Sequence, residues 1–309
     1  MGNTNYHYFQ FKEKHIKDAQ YIFKNAFNYI VSESFIKNKY DTSHLGIESI
    51  STIAYDKDKP IAFYGAIPQL FTNKKESFLI AHACDSYTLS EYQKQGLHYN
   101  LALKSYEIMQ QNNVKMVYAF HSENTFYSTK KLNWKEHENL VRFHIKTKNI
   151  SSSKIYNKLG FNNILHTKAL KLLRPYLIEN TKNPFFKTNF FHQKYHSEFY
   201  NYKNGFNNHF LIEIEGCIFY LKFNSIINVG FFDFDTEQNF KLGIEKLKIL
   251  ISKIGFNEIL FQVNFHSKQH DALLKIARPF PSWLVGYLSF DEKINISEFR
   301  FNFADLDTF

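Results

Sequence analysis

Cysteine is almost absent from this 309-residue sequence, which contains only Cys84 and Cys217. One pair cannot build the framework of several disulfides that stabilises many small secreted proteins. The sequence has no Cys-x-x-Cys pair, so a cysteine-based zinc site is excluded as well. We therefore expect a chain that folds without disulfides and holds no metal.

Long hydrophobic runs are missing too. No apolar stretch approaches the roughly 20 residues that span a bilayer, and the opening MGNTNYHYFQFKEKH lacks the apolar core of a signal peptide. Tyr6 stands where a myristoylation signal needs Ser or Thr, so we do not expect acylation of Gly2. The sequence predicts a soluble, cytoplasmic protein without a membrane partner.

Runs of like charge are also lacking, although the net charge is +9. A basic surface favours anionic partners. Here the lysines are scattered among acidic residues, and no nucleic-acid-binding motif accompanies them. This pattern favours a solvated surface with one anion pocket over a surface that binds nucleic acid.

Hydrophobic residues make up 44% of the chain and aromatic residues 18%. This composition excludes a disordered protein, and we interpret the many Phe and Tyr residues as core and strand material. Domains usually hold about 100–200 residues, so the length predicts two of them.

The first half alternates strand and helix patterns. A strand is predicted over Tyr6–Phe11 and a helix over residues 13–30, followed by two strands around the polar turn Asp56–Lys59 and a third over Glu76–Leu89. A second helix over residues 98–113 and a buried strand over residues 114–120 complete an α/β domain.

The second half repeats this order. A polar boundary at Thr147–Lys154 precedes helices over residues 166–177 and 190–202, three strands, a helix, a strand, a short helix and a last strand, SWLVGYLSF. The helix–turn–strand stretches 101–125 and 243–267 are similar and share a Phe-His-Ser. We predict a domain over 1–146, a linker over 147–155 and a second, diverged domain over 156–309.

A single glycine, Gly96, precedes the second helix in the stretch EYQKQGLHYNL. The first N–H groups of a helix lack intrahelical partners and attract anions, and glycine allows a phosphate to approach the backbone. The donors would be the N–H groups of Gln95, Gly96, Leu97 and His98, beside Lys94. A glycine that only eases the turn into a helix fits the same pattern.

The stretch TLSEYQKQGLHYNLAL resembles the acyl-CoA loop of the GNAT superfamily of N-acetyltransferases. That loop has Arg or Gln, two residues, Gly, one residue, and Gly or Ala, between the fourth strand and the third helix. Gln93 to Gly96 match it, whereas His98 replaces the second small residue. The resemblance covers residues 6–146. It implies an α/β (α+β) fold of two GNAT-like units, each with a mixed, mostly antiparallel sheet flanked by helices.

The resemblance also implies transfer of an acetyl or other acyl group from CoA to an amine. The acceptor class is a small molecule such as an amino sugar or amino acid derivative, and a homodimer is left open. Acetyl-CoA is the expected co-substrate, with its pyrophosphate on residues 95–98. The CoA-binding residues implied are Thr88, Leu89, Gln93, Lys94, Gln95, Gly96, Leu97, His98 and Asn124.

The family places an asparagine after its fifth strand, and two segments here fit. One is ENTFYSTKKLNW, with Asn124 directly after the predicted strand; the other runs from Asn149 to Phe161 with better spacing. Short loops favour the first. There, the general-acid tyrosine position holds Thr129, and Tyr127 is the substitute; in the second segment the tyrosine is Tyr156.

Acyl transfer needs a group that removes a proton from the amine. Asp85 on the fourth strand is the first candidate, and a solvated or hydrogen-bonded strand carboxylate is its alternative. Glu123 and His121 are further candidates, and an ordinary polar loop residue is the alternative favoured for each. His82 and Cys84 are interpreted as packed or hydrogen-bonded, and Asp233 and Asp235 as the end of a strand.

A rival hypothesis is a degenerate fold that binds a ligand or partner without catalysis. The departure at His98 and the missing tyrosine at residue 129 favour it.

Overall fold

The computed structural model describes residues 6–28, 30–147, 162–179, 184–185, 188–204 and 208–309. Its strands are β1 (His7–Gln10), β2 (Thr52–Asp56), β3 (Lys59–Thr72), β4 (Ser77–Thr88), β5 (Met116–His121), β6 (Lys135–Lys146), β7 (His192–Gln193), β8 (His209–Ile214), β9 (Cys217–Phe223), β10 (Ile227–Phe234), β11 (Glu258–Val263) and β12 (Pro279–Ser289). Its helices are α1 (Ile16–Phe27), α2 (Glu33–Tyr40), α3 (Leu97–Gln111), α4 (Glu123–Thr129), α5 (Asn162–Leu173), α6 (Ser197–Asn204), α7 (Glu237–Ile254) and α8 (Lys268–Leu274).

The chain forms two compact units. The first contains the residues up to His137 together with Leu284–Glu298, and the second contains Glu138–Trp283 with Phe299–Phe309. The chain therefore changes unit within β6, again within β12 and once more after Glu298. These bounds differ from the predicted domains 1–146 and 156–309, and residues 148–155 of the predicted linker lie outside the described residues.

The sheet of the first unit has the order β1-β2-β3-β4-β5-β12. Neighbouring strands are antiparallel, apart from the parallel pair β4–β5. Residues Leu284–Ser289 of β12 pair with Met116–His121 of β5. The predicted C-terminal domain, 156–309, includes this last strand. It completes the first unit instead, because the second edge of β5 carries backbone groups that need partners.

Helices cover both faces of this sheet. Alternate β3 residues point to opposite faces, so Phe63 packs with Ile22 and Phe23 of α1, whereas Tyr64 packs with Leu101 of α3. Helix α2 was not predicted. The Ser32 side chain caps it by accepting a hydrogen bond from the backbone N–H of Phe35 at 3.1 Å.

The second unit repeats this architecture, as its sequence similarity to the first half predicts. Its sheet has the order β6-β11-β10-β9-β8, and β10–β11 is the parallel pair. Helix α7 joins β10 to β11, as α3 joins β4 to β5. The predicted helix over residues 190–202 is shorter in the structure, where the brief strand β7 precedes α6.

Helix α7 buries one side and exposes the other. Phe240, Ile244 and Leu247 lie in the core of the second unit, whereas Lys241 and Glu245 are exposed. In the part of the chain that the structure describes, no helix combines the length and apolar character needed to cross a membrane.

The place of β12 can be tested at Gly286. A Cβ atom there would lie 2.7 Å from Cε2 of Phe126 and 2.8 Å from Cδ2 of His121. We expect Gly286→Ala to lower the free energy of unfolding by about 1–3 kcal/mol, because two buried rings must move. Urea denaturation at pH 7 measures the change.

Glu292→Ala, at an exposed position just after β12, is the control and should leave the midpoint unchanged. An unchanged midpoint for Gly286→Ala would mean that this strand does not pack against β5 and α4.

Candidate functional site

The parallel pairing of β4 with β5 ends after Ala81–Val117 and His82–Tyr118. A bulge between Tyr64 and Ala66 shifts the β3–β4 register, and bulges bend strands. Beyond this point a cleft of about 570 Å³ lies in the first unit. Its lining consists of Tyr64, Gly65, Ala83, Cys84, Asp85, Ser86, Tyr87, Thr88, Gln93, His98, Ala119, Phe120, His121, Ser128, Thr129 and Trp134.

The loop before α3 contains two left-handed residues, Lys94 with φ 61° and Gly96 with φ 79°. Gly96 is the N-cap of α3, and nothing lies within 4 Å of the position that a Cβ would occupy. Its glycine is therefore explained by backbone conformation, and the space beside it is open. Within the described residues, no backbone N–H from Gln95 to His98 donates a hydrogen bond.

Side chains of the same loop hold it in place. Gln93 Nε2 donates to the Thr88 carbonyl at 3.4 Å, and Gln95 Nε2 donates to the Glu91 carbonyl at 3.3 Å. The Tyr6 hydroxyl donates to Gln95 Oε1. Lys94 is exposed beside the open N–H groups, and Leu97 is buried in the core. The predicted loop residues thus divide into anchoring, exposed and core positions.

Thr88 and Leu89 differ in the hydrogen bonds of their backbone N–H and carbonyl groups. The Leu89 N–H donates to Ile61 in β3 at 2.9 Å, and its carbonyl accepts from the Tyr92 N–H at 2.9 Å. Because backbone groups alternate in direction along an antiparallel strand, those of Ser86 and Thr88 face the opposite edge, toward the cleft. The Thr88 carbonyl accepts from Gln93 Nε2, so its N–H is the polar group left for a ligand, whereas both polar backbone groups of Leu89 already have partners.

His98 takes the place of the second small residue of the family loop. Its ring lies edge-on to Tyr64, with ring centroids 5.7 Å apart, and the side chain lines the cleft. Burial lowers the pKa of His98, so the imidazole is neutral at pH 7.

Asp85, the first candidate base, is held by three donors. Tyr40 donates to its Oδ2, Tyr87 donates to its Oδ1 at 2.7 Å, and Lys39 Nζ lies 2.6 Å from its Oδ2. Lys39 itself is only 4% exposed. The carboxylate is therefore the centre of a buried polar network, and both of its oxygens accept hydrogen bonds. This arrangement matches the hydrogen-bonded strand carboxylate that is the alternative to a catalytic base.

His121 lies at the end of β5 and is 6% exposed. Its ring contacts Phe126 and Trp134 edge-on, and its Nε2 has no hydrogen-bond partner among the described residues. Burial lowers the pKa of His121 to about 4. The cleft thus contains a neutral imidazole with an unused polar atom.

Helix α4 follows β5 directly, as the first of the two predicted placements requires. Thr129 is buried in the cleft wall and donates to the Phe126 carbonyl at 2.8 Å. Tyr127 is 75% exposed and does not line the cleft. A seven-residue helix turns Ser128 and Thr129 inward and Tyr127 outward, so the structure does not bring the predicted general acid to the site.

The side chains of three further predicted residues lie outside the described part of the chain. Glu123 and Asn124 belong to α4, but their side chains lie outside the described part of the chain. Tyr156, in the second candidate segment, lies outside the described residues altogether.

Sequence reasoning missed the partners of Asp85. Lys39 and Tyr40 lie on the unpredicted helix α2, and Tyr87 reads as ordinary strand material. The serine cap at Ser32 is the one local signal for α2. Nothing in the local pattern marks Lys39 as a buried cation.

No protein-family model matches the sequence, and no curated protein matches it. Solved structures do match. A proposed acetyltransferase from Pyrococcus horikoshii is 13% identical with a TM-score of 0.55, over 96% of this chain and 94% of its own. A GCN5-related N-acetyltransferase from Anabaena variabilis is 9% identical with a TM-score of 0.57, over 91% of this chain and 72% of its own.

The N-myristoyltransferase of Saccharomyces cerevisiae, solved with bound myristoyl-CoA, is 9% identical with a TM-score of 0.52, over 93% of this chain and 78% of its own. At these identities the likeness establishes the fold. The chain has the fold of the GCN5-related N-acetyltransferases over most of its length, which confirms the predicted fold class.

The buried network around Asp85 predicts a large loss of stability on truncation. Asp85→Ala leaves the Lys39 ammonium buried without its carboxylate, so we expect the free energy of unfolding to fall by about 3–5 kcal/mol. Adding Lys39→Met should recover much of this loss. Chemical denaturation of the single and double variants measures both effects.

The exposed pair Lys59–Glu91, with a separation of 2.9 Å, provides the matched control. Glu91→Ala should change stability little, since water screens that pair. If Asp85→Ala proves equally mild, the carboxylate is not the centre of the network.

The neutral state of His121 predicts a pH dependence of stability. Its pKa rises from about 4 in the folded chain to 6.5 on unfolding. Between these values only the unfolded chain binds the proton, so stability falls as the pH is lowered through this range. For His121 the loss at pH 5 is on the order of 2 kcal/mol.

Urea denaturation of the wild type and of His121→Gln, at pH 7.5 and at pH 5, separates the loss of stability due to His121 from the loss due to other histidines. The wild type should lose more stability than the variant. Equal losses would show that His121 titrates normally in the folded protein.

Proposed function

We propose that the first unit is an N-acyltransferase that binds acyl-CoA in the cleft between β4 and β5. The observation that carries this proposal is the open N-terminus of α3 behind Gly96, which borders the cleft through Gln93 and His98. An anion placed there meets unpaired N–H groups and the positive end of the helix dipole.

The N–H groups of residues 95–98 would hold the CoA pyrophosphate. Lys94 adds a positive charge beside them. The edge of β4 that faces the cleft supports the next step, because the backbone groups of Ser86 and the N–H of Thr88 can pair with an amide-bearing chain such as pantetheine. The thioester would then lie near the end of β5, where Ala119 and His121 line the cleft.

In the reaction, the amine nitrogen attacks the thioester carbonyl carbon, the C–N bond forms and the C–S bond breaks with its electron pair leaving on sulfur. The amine must lose a proton, and the thiolate must gain one. We assign proton acceptance to water in the cleft, and the unpartnered Nε2 of the neutral His121 ring accepts a hydrogen bond from that water. The Ser128 hydroxyl or water would protonate the thiolate.

Asp85 has a different role in this proposal. Three donors hold its carboxylate in place beside the bulge between β3 and β4. It therefore acts as a positioning residue that holds the cleft wall, and Tyr127 remains outside the chemistry.

The finer identity of the substrates rests on the family resemblance of the loop. We propose acetyl-CoA as donor and a small cytoplasmic amine, an amino sugar or amino acid derivative, as acceptor. The cleft volume of about 570 Å³ suits a small acceptor beside the acyl group.

A second candidate function is CoA binding without catalysis. The engaged oxygens of Asp85 and the exposed position of Tyr127 favour it. Under this alternative CoA binds normally, and no amine is acylated.

The CoA site can be tested by Gly96→Glu. The new carboxylate would face the pyrophosphate, and we expect at least a tenfold rise in the Kd for acetyl-CoA, measured by calorimetry. Gly46→Glu is a closely matched control. Gly46 has φ 72° and no atom within 4 Å of its Cβ position, so strain and charge change alike while the α3 loop stays intact.

Equal affinities of the two variants would overturn the proposed phosphate site. Absence of acetyl-CoA binding by the wild type would overturn the function as a whole. Binding without turnover across a panel of primary amines would select the non-catalytic alternative.

A further inference from the structure

The second unit contains a pocket of about 340 Å³ that the proposed function leaves unused. It lies beyond β10 and β11, beside the start of α8 and the segment that follows Phe299. Six of the side chains that line it are Phe185, Phe190, Asp233, His266, Lys268 and Arg300.

This pocket arises in the same way as the cleft of the first unit. The parallel pairing of β10 with β11 ends at Val229–Phe261, and the pocket opens beyond it. The repeated Phe-His-Ser follows β11 here, so His266 lines the pocket as His121 lines the cleft. Each unit therefore builds one opening at the same point of its sheet.

The second opening differs in its helix end. Thr236 caps α7 by accepting a hydrogen bond from the Asn239 N–H at 3.2 Å. The loop has no left-handed glycine like Gly96. This pocket consequently lacks the open phosphate platform, and CoA is not the ligand to expect.

The pocket nevertheless keeps charged side chains in partly buried positions. The Arg300 guanidinium carbon lies 3.7 Å from the centre of the Phe190 ring, and Lys268 Nζ lies 4.1 Å from that of Phe234. Asp233 Oδ1 is 3.5 Å from Lys268 Nζ. Burial lowers the pKa of Arg300 and raises that of Asp233, which reports the cost of keeping these charges there.

If this pocket bound no ligand, apolar side chains in place of the charged ones would make the unit more stable. Two cations beside aromatic rings are instead suited to an anion attached to an apolar body. Asp233 lies on the Lys268 side and disfavours a second anionic group there. The arrangement therefore selects a ligand with a single anionic group.

We propose that the second unit binds a small molecule that carries one carboxylate or phosphate group on a ring-sized apolar body. Arg300 and Lys268 receive the anionic group, and Phe185 and Phe190 contact the body. The site is separate from the acyl-CoA cleft, so the chain has one ligand site in each unit.

Calorimetry on the full chain tests this site with four probes: benzoate, phenyl phosphate, benzylamine and inorganic phosphate. We expect saturable 1:1 binding of benzoate or phenyl phosphate, and which of the two binds identifies the anionic group. Benzylamine has the same ring with the opposite charge and should not bind. Inorganic phosphate should bind at least tenfold more weakly than the better aromatic anion, because it lacks the body.

Lys268→Gln and Arg300→Gln should each weaken the bound probe at least tenfold. Lys246→Gln, at an exposed position on α7 away from the pocket, is the matched control and should leave binding unchanged. Lys268 is about half exposed, so its variant keeps the test valid if Arg300→Gln fails to fold.

Three results would overturn the proposal: no saturable binding of either aromatic anion, equal binding of benzylamine, or wild-type affinity in both variants. If inorganic phosphate bound as tightly as the aromatic anions, the pocket would not recognise an apolar body, and that part of the proposal would be wrong. Acetyl-CoA titrated into the same samples reports the first unit separately.

Discussion

The separation of β4 from β5 is the constraint on which the candidate site depends. Two parallel strands that stop pairing leave backbone donors and acceptors without strand partners, and such groups need water or a ligand. The bulge between Tyr64 and Ala66 accompanies this separation in the first unit. The cleft and the strand edge that faces it both follow from that one departure from regular pairing.

A buried polar network ties helix α2 to this bulge. A Cβ at Gly65 would lie 2.5 Å from the Tyr40 hydroxyl and 3.1 Å from the Asp85 Cβ, so only glycine leaves room for the contact. Lys39 adds its charge from the same helix. Buried charges of this kind contribute little net stability, but they penalise any other arrangement of the same elements.

The sequence predicted those structural features that depend on a local pattern of residues. Alternation and helical spacing predicted most strands and helices, and Gly96 marked the turn that begins α3. Side-chain orientation was harder. Tyr127 and Thr129 are two residues apart, and only the packed helix decides which of them faces the cleft.

Contacts between distant residues could not be derived from local pattern. The partners of Asp85 come from α2 and from two residues further along β4, and neither the burial of Lys39 nor the bond from Tyr40 has a local signature. The boundaries of the two units also depend on contacts between distant residues. Hydrophobic periodicity identified β12 as a strand but carried no information on which strand it pairs with.

The pairing of β12 with β5 also sets an order of events during synthesis. His121 leaves the ribosome long before Leu284, its partner across the two strands. Until then one edge of β5 has no strand beside it, and the ring of Phe126 lacks its neighbour Gly286. The first unit therefore reaches its final form only after most of the second has been made, and cutting the gene at the apparent linker would yield two incomplete products.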